Sequence, residues 1–147
     1  MESLELDLTI EQIRLTKVET NISVDKGSLS RKNEIEFSLG KGENNILLVT
    51  DKESIYDADT DNTLLYLEVE ATYLIDGEFS GIEELSGDSE VRTHLTEPVL
   101  EQASLIVGFL TEKIFLSPMI VPPVELAVME ARIEKYLEEQ GIENNRN

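Results

Sequence analysis

Residues 63–77 read TLLYLEVEATYLIDG. Leu65, Leu67, Val69, Ala71, Tyr73 and Ile75 alternate with Glu68, Glu70 and Thr72, and Asp76-Gly77 follows as a turn signal. A period of two, rich in branched and aromatic residues, marks a strand with one buried face. The chain therefore holds a sheet, and its other elements must supply strands to pair with and a layer to cover the apolar side.

Toward the N-terminus the same alternation recurs. Leu4, Leu6, Leu8 and Ile10 share one side of a first strand. The phase then moves to Ile13 and Leu15, and again to Val18, Ile22 and Val24, which predicts a bulge or bend. Lys26-Gly27-Ser28 reads as a turn. A second strand spans residues 34–39, with Ile35, Phe37 and Leu39 on one face, and Gly40-Lys41-Gly42 breaks or bends it before residues 46–49. The strand at 65–75 is then the third, and a short, weak fourth is expected within residues 78–85, closed by Ser86-Gly87-Asp88. Sequential antiparallel neighbours are the default pairing.

Toward the C-terminus the period changes. Residues 96–126, TEPVLEQASLIVGFLTEKIFLSPMIVPPVEL, hold all four prolines of the chain. Thr96 reads as a helix cap, with Glu97 and Pro98 in the first turn. Val99, Ala103, Ile106, Leu110 and Ile114 make one helical face, while Leu100, Leu105, Val107 and Phe109 lie outside it. A helix this apolar around its girth must be covered on more than one side, here by another subunit. Residues 116–123 form a proline-interrupted crossover. A last helix is expected over 123–140, with Gly141 as its stop and Leu126, Met129, Ile133, Tyr136 and Leu137 as its apolar face. Residues 141–147 read as a flexible polar tail.

The length of 147 residues fits one domain, 1–147, able to build a core without staples. The absence of cysteine removes disulfides, thiolate nucleophiles and cysteine-based zinc sites, and fits a reducing cytoplasm. A net charge of −19, from 31 acids against 12 bases, disfavours nucleic acid as a partner. The opening MESLELDL carries acids where a signal peptide carries bases. The longest apolar run, within 105–110, is far short of the roughly 20 residues a membrane span needs. No membrane insertion is expected.

Few residues suggest chemistry. Asp57, Asp59, Asp61 and Glu68 have the ligand spacing of a calcium loop, with Leu64 at its apolar position. A helix must follow such a loop, and here a strand does, so an acidic turn is the first reading. His94 is the only histidine and has no nucleophile-elbow motif near it. Gly40-Lys41-Gly42 is too short for a phosphate loop. No cofactor, metal or enzyme activity is expected.

The order of parts resembles SecB, the protein-export chaperone, and the wider SecB-like family. The segment IEQIRLTKVETNISVD is similar to the family's first strand, TLLYLEVEATYLIDG to its long third strand, Pro98 to the proline opening its long helix, and residues 116–126 to its crossover. The crossover reads VPPVEL where SecB proper usually has an asparagine and an aromatic after the Pro-Val pair, a departure that bears on the export branch more than on the fold.

The resemblance implies an α+β fold, with a four-stranded antiparallel sheet packed by a long helix and a C-terminal helix. It implies a homotetramer with the long helices at the interface, here Leu100, Leu105, Val107 and Phe109. It implies unfolded or nascent polypeptides held in apolar grooves between crossover and sheet, lined here by Phe115, Leu116, Met119, Ile120 and Val121, with Tyr73 from the sheet. Delivery to the SecA translocation ATPase uses acidic sheet positions, of which Asp25 matches one, although Asp25 alone reads as a solvated turn acid. The expected function is that of an ATP-independent holdase. The alternatives are a dedicated partner of one protein, such as an antitoxin or a phage component, or a structural oligomer.

Overall fold

The computed structural model describes residues 7–21, 28–40, 45–77, 79 and 81–140, without the side chains of 127–132. Four strands, β1 (Asp7–Thr20), β2 (Leu29–Leu39), β3 (Ile46–Asp57) and β4 (Thr63–Asp76), precede a short helix α1 (Ile82–Gly87), a long helix α2 (Ser89–Phe115) and a last helix α3 (Leu126–Glu139). The strands form one antiparallel sheet in the order β1-β4-β3-β2. The first strand thus pairs with the last rather than with its sequence neighbour.

The phase changes in β1 are two bulges, between Ile10 and Gln12 and between Leu15 and Lys17. Each inserts one residue and returns the apolar set to the same side. Leu8, Ile10, Ile13, Leu15 and Val18 therefore all stand opposite inward residues of β4: Ile75, Tyr73, Ala71, Val69 and Leu67. Leu4, Leu6, Ile22 and Val24 lie outside the described residues.

Two expectations about strands need correction. The expected second strand is a hairpin of two, β2 and β3, closed where the Gly40 amide donates to the Ile46 carbonyl at 2.8 Å. The inward positions of β3 are Leu47, Val49, Asp51, Glu53, Ile55 and Asp57, so three buried acids disguise its apolar side. The strand expected within 78–85 is absent among the described residues. Residues 82–87 are α1, which buries Leu85.

Helix α2 starts seven residues before Thr96. Asp88 caps it, accepting from the backbone of Glu90 at 3.0 Å and Val91 at 3.1 Å. Thr96 is buried mid-helix, and Pro98 sits inside it, removing the donor that the His94 carbonyl would otherwise meet. The stripe Leu95, Val99, Ala103, Val107, Thr111 and Phe115 recurs every fourth residue and lies on β3 and β4. Leu65, Leu67, Val69, Ala71 and Tyr73 face it from β4. Helix α3 begins at Leu126 rather than Pro123, because residues 123 and 124 bend, with the Val124 amide donating to the Pro122 carbonyl at 2.8 Å, and side chains of β2 and α2 hold the stretch in that path.

A Cβ on Gly40 would lie 2.8 Å from the Ile46 Cβ, whereas one on Gly108 in α2 would meet only the Met119 carbonyl oxygen, at 3.8 Å. Gly40→Ala should therefore lose about 1–3 kcal/mol of stability through overpacking. Gly108→Ala should gain about 1 kcal/mol from the better helix former. Urea unfolding of the two variants checks both signs.

Candidate functional site

Helix α2 ends in a sharp reversal. Leu116 caps it in the left-handed region, at φ 62° and ψ 19°, a conformation that normally calls for glycine. The chain then runs back along α2. The Met119 amide donates to Thr111 Oγ1 at 2.7 Å, and Ser104 Oγ donates to the Val121 carbonyl. Residues 104, 108 and 111 share one helical face, so that face carries the crossover.

Beyond Val121 the crossover is fastened to the sheet by side chains of β2. Arg31 forms a two-pronged pair with Glu53, Nε to Oε1 at 2.7 Å and Nη2 to Oε2 at 2.9 Å, and its Nη1 donates to the Pro122 carbonyl at 2.9 Å. Asn33 donates to Glu53 Oε2 at 3.1 Å and to the Val124 carbonyl at 2.9 Å, and accepts from the Leu126 amide at 3.0 Å. From the other side, Arg92 of α2 grips Glu125 with two bonds, 3.1 and 2.6 Å, while its guanidinium lies over the Phe37 ring.

The latch rests on a buried acid. Asp51 is fully buried, and no donor reaches either of its oxygens. Burial, then hydrogen bonding with Glu53 and the Glu53 charge, push its carboxyl up to about 10, which favours the protonated form. Burial also opposes the charge on Glu53, but hydrogen bonds from Arg31, Asp51 and Asn33 and the Arg31 charge hold it below the ordinary carboxylate value.

The fastened half, 121–126, leaves residues 116–120 as a projecting lip. Leu116 is 88% exposed and Ile120 90%, while Met119 between them turns in against the core. Phe115 and Val121, expected in a groove, are buried in the chain's own interior. Tyr73 is also core: its hydroxyl donates to the Leu95 carbonyl at 2.9 Å, beneath α2. In the single chain Leu116 and Ile120 project into solvent, while Phe115, Met119, Val121 and Tyr73 face the interior.

The expected interface residues divide in the same way. Leu105 and Phe109 are exposed on α2, whereas Leu100 and Val107 are covered within the chain. Val107 lies in the inward stripe over the sheet, and Leu100 lies beside Pro123 and Val124 of the crossover.

A separate cleft of about 460 Å³ opens between the first half of α2 and residues 123–125. Leu100, Pro123 and Val124 give it apolar walls, and Glu97 and Glu101 stand among its lining residues.

The acids at 57–68 do not converge. Asp57 is buried and accepts from the Asp59 amide at 2.9 Å, while Glu68 lies on the outer face of β4, bonded by the Tyr66 hydroxyl. Among the described residues no group of three or more such side chains could hold a metal. His94 is exposed on α2, and among the described residues no hydrogen bond ties it to a hydroxyl or carboxylate. Asp25 lies outside the described residues.

Folding keeps the Asp51 proton that the unfolded chain releases above its ordinary value of 3.8. The wild-type fold should therefore lose stability as pH rises from that value toward the folded one. Asp51→Asn should remove this slope and stabilise the protein at neutral pH by an amount on the order of a few kcal/mol, fading in acid. Chemical unfolding across that pH range measures it, and an unchanged slope would exclude Asp51 as the proton carrier.

No family model matches the chain, and no curated protein matches it. Among solved structures it is similar to the SecB-like chaperone of Mycobacterium tuberculosis in complex with a ChAD peptide from an antitoxin, at 17% identity and TM-score 0.64, over 80% of this chain and 87% of that one. It is also similar to a protein of unknown function from Streptococcus agalactiae, at 12% identity and TM-score 0.56, over 80% and 98% of the two chains. The four-stranded antiparallel sheet with its long helix and C-terminal helix is thus an α+β fold matching that of a SecB-like chaperone.

Proposed function

We propose that this protein is an ATP-independent holdase that captures non-native polypeptides on the lip at residues 116–120. The observation that carries this reading is Leu116. A branched apolar side chain stands almost fully in water, at a backbone conformation that disfavours it. Glycine would satisfy the turn, and a polar residue would satisfy the solvent. Two local rules broken at one residue point to a use for the exposed side chain. Ile120 shares its exposure, and the latch keeps both displayed by holding the crossover beside them.

The fold neighbour solved with an antitoxin peptide supports polypeptide as the ligand class. It also favours a second reading, a dedicated carrier of one partner, which a narrow client range would distinguish. The outer sheet face gives little support to export delivery. Three of its acids are already met by cations or a hydroxyl: Glu70 by Arg14 at 3.8 Å, Glu36 by Lys52 at 2.9 Å, and Glu68 by Tyr66 at 2.7 Å. We therefore propose capture in the cytoplasm without a SecA step. Among the described residues no helix is long and apolar enough to cross a membrane.

We also propose a homo-oligomer, with a tetramer as the expected size, joined through α2. Glu101, Leu105, Phe109 and Lys113 follow one another at four-residue spacing, and Lys113 lies over the Phe109 ring at 5.6 Å. Two such ridges packed antiparallel set Glu101 against Lys113 and Leu105 against Phe109, the self-complementarity that a two-fold contact requires.

Leu116→Gly should keep or raise stability, by about 1 kcal/mol, while capture of a slow-folding unfolded client falls. Ile120→Ser should lower capture as well. Co-elution of client and protein in size-exclusion chromatography with light scattering reads this. Full capture by both variants would sink the lip as the binding surface. In the same instrument, Lys113→Glu should dissociate the oligomer and the double change Glu101→Lys/Lys113→Glu should restore it.

A further inference from the structure

The lip accounts for apolar contact alone, and the cleft between α2 and residues 123–125 has no part in it. The two lie along one line. Thr111 bonds Met119, Ser104 bonds Val121, and Arg92 bonds Glu125, so the crossover runs antiparallel to α2 from lip to cleft. From Thr111 to Glu97 the helix rises about 20 Å at 1.5 Å per residue. An extended polypeptide covers that distance in about six residues.

The cleft has a distinct chemistry. Its walls of Leu100, Pro123 and Val124 suit an aliphatic stem. Glu97 is exposed beside them and, among the described residues, has no cationic partner. The cation that lines the cleft, Arg92, is already engaged by Glu125, the Ser86 carbonyl and the Phe37 ring. Glu97 also borders a shallow recess that Glu90 and His94 share, which extends the acidic rim. An apolar trough ending in an unpaired carboxylate matches a lysine or arginine side chain, whose hydrocarbon stem and charged head want those two surroundings.

We propose that the cleft is a second contact for the captured polypeptide, taking a basic side chain about six residues along an extended segment from the apolar residues held at the lip. This rests on the polypeptide-capture reading and adds a spacing rule to it. Because Arg92 and Glu125 border the cleft, an occupied cleft also bears on the clamp that holds the crossover.

Labelled peptides test it by fluorescence anisotropy on the full-length oligomer. Each carries an apolar block, a neutral flexible spacer of varied length and one lysine, and a control series carries glutamine instead. The lysine series should peak in affinity at a spacer of about six residues, about tenfold above its control at low salt, with the peak lost at high salt. Glu97→Gln should flatten that peak to the control level and leave control binding unchanged. A lysine series without a peak, or a peak that survives Glu97→Gln, overturns the proposal while control binding keeps the capture reading. Loss of all binding, control included, overturns both. A change of oligomer mass in Glu97→Gln, with the peak intact, would assign the cleft to a subunit contact and overturn the proposal too.

Discussion

The crossover depends on one dry ion pair. Arg31 and Glu53 are 5% and 0% exposed at their side chains, and together with Asn33 they supply polar partners to a backbone stretch crowded with prolines. Pro122 and Pro123 have no amide to donate, so this stretch cannot join the sheet as a strand. Side chains take the place of a ladder. Such a pair adds little net stability compared with an apolar core, yet losing one member strands the other and costs about 3–5 kcal/mol. Its value lies in specifying one path for the crossover.

That path separates residues of the same chemical type into two roles. Phe115, Met119 and Val121 help seal the interior, while Leu116 and Ile120 face water. The division follows from the left-handed turn at Leu116 and from the Thr111 and Ser104 bonds, which set which way each side chain turns. A rigid support under an exposed apolar edge reduces the ordering needed when a partner arrives, so more of the contact energy appears as affinity.

Much of the sheet was legible in the residues. The alternation in β4 and the phase shifts in β1 translate directly into a central strand and two bulges. β3 was hidden because Asp51, Glu53 and Asp57 occupy inward positions, where alternation looks for apolar residues. The start of α2 was hidden because Asp88 ends a Ser-Gly-Asp run that reads as a turn, and because Pro98 resembles a first-turn proline. The latch could be read only with the register in hand. Asn33 faces Glu53 across β2 and β3, and Arg31 lies two residues away on the same side. Exposure at the lip was beyond reach of pattern, since Leu116 and Val121 look equally like core.

The strand order has a consequence for how the chain is made. β2, β3 and β4 close on one another through short turns, but β1 must wait for β4, with Ile13 meeting Ala71. During synthesis the first strand emerges well before its partner exists, with its apolar row uncovered. Each newly made copy thus spends its early life as an extended, apolar, unpaired segment, the same kind of object that the finished protein is proposed to hold.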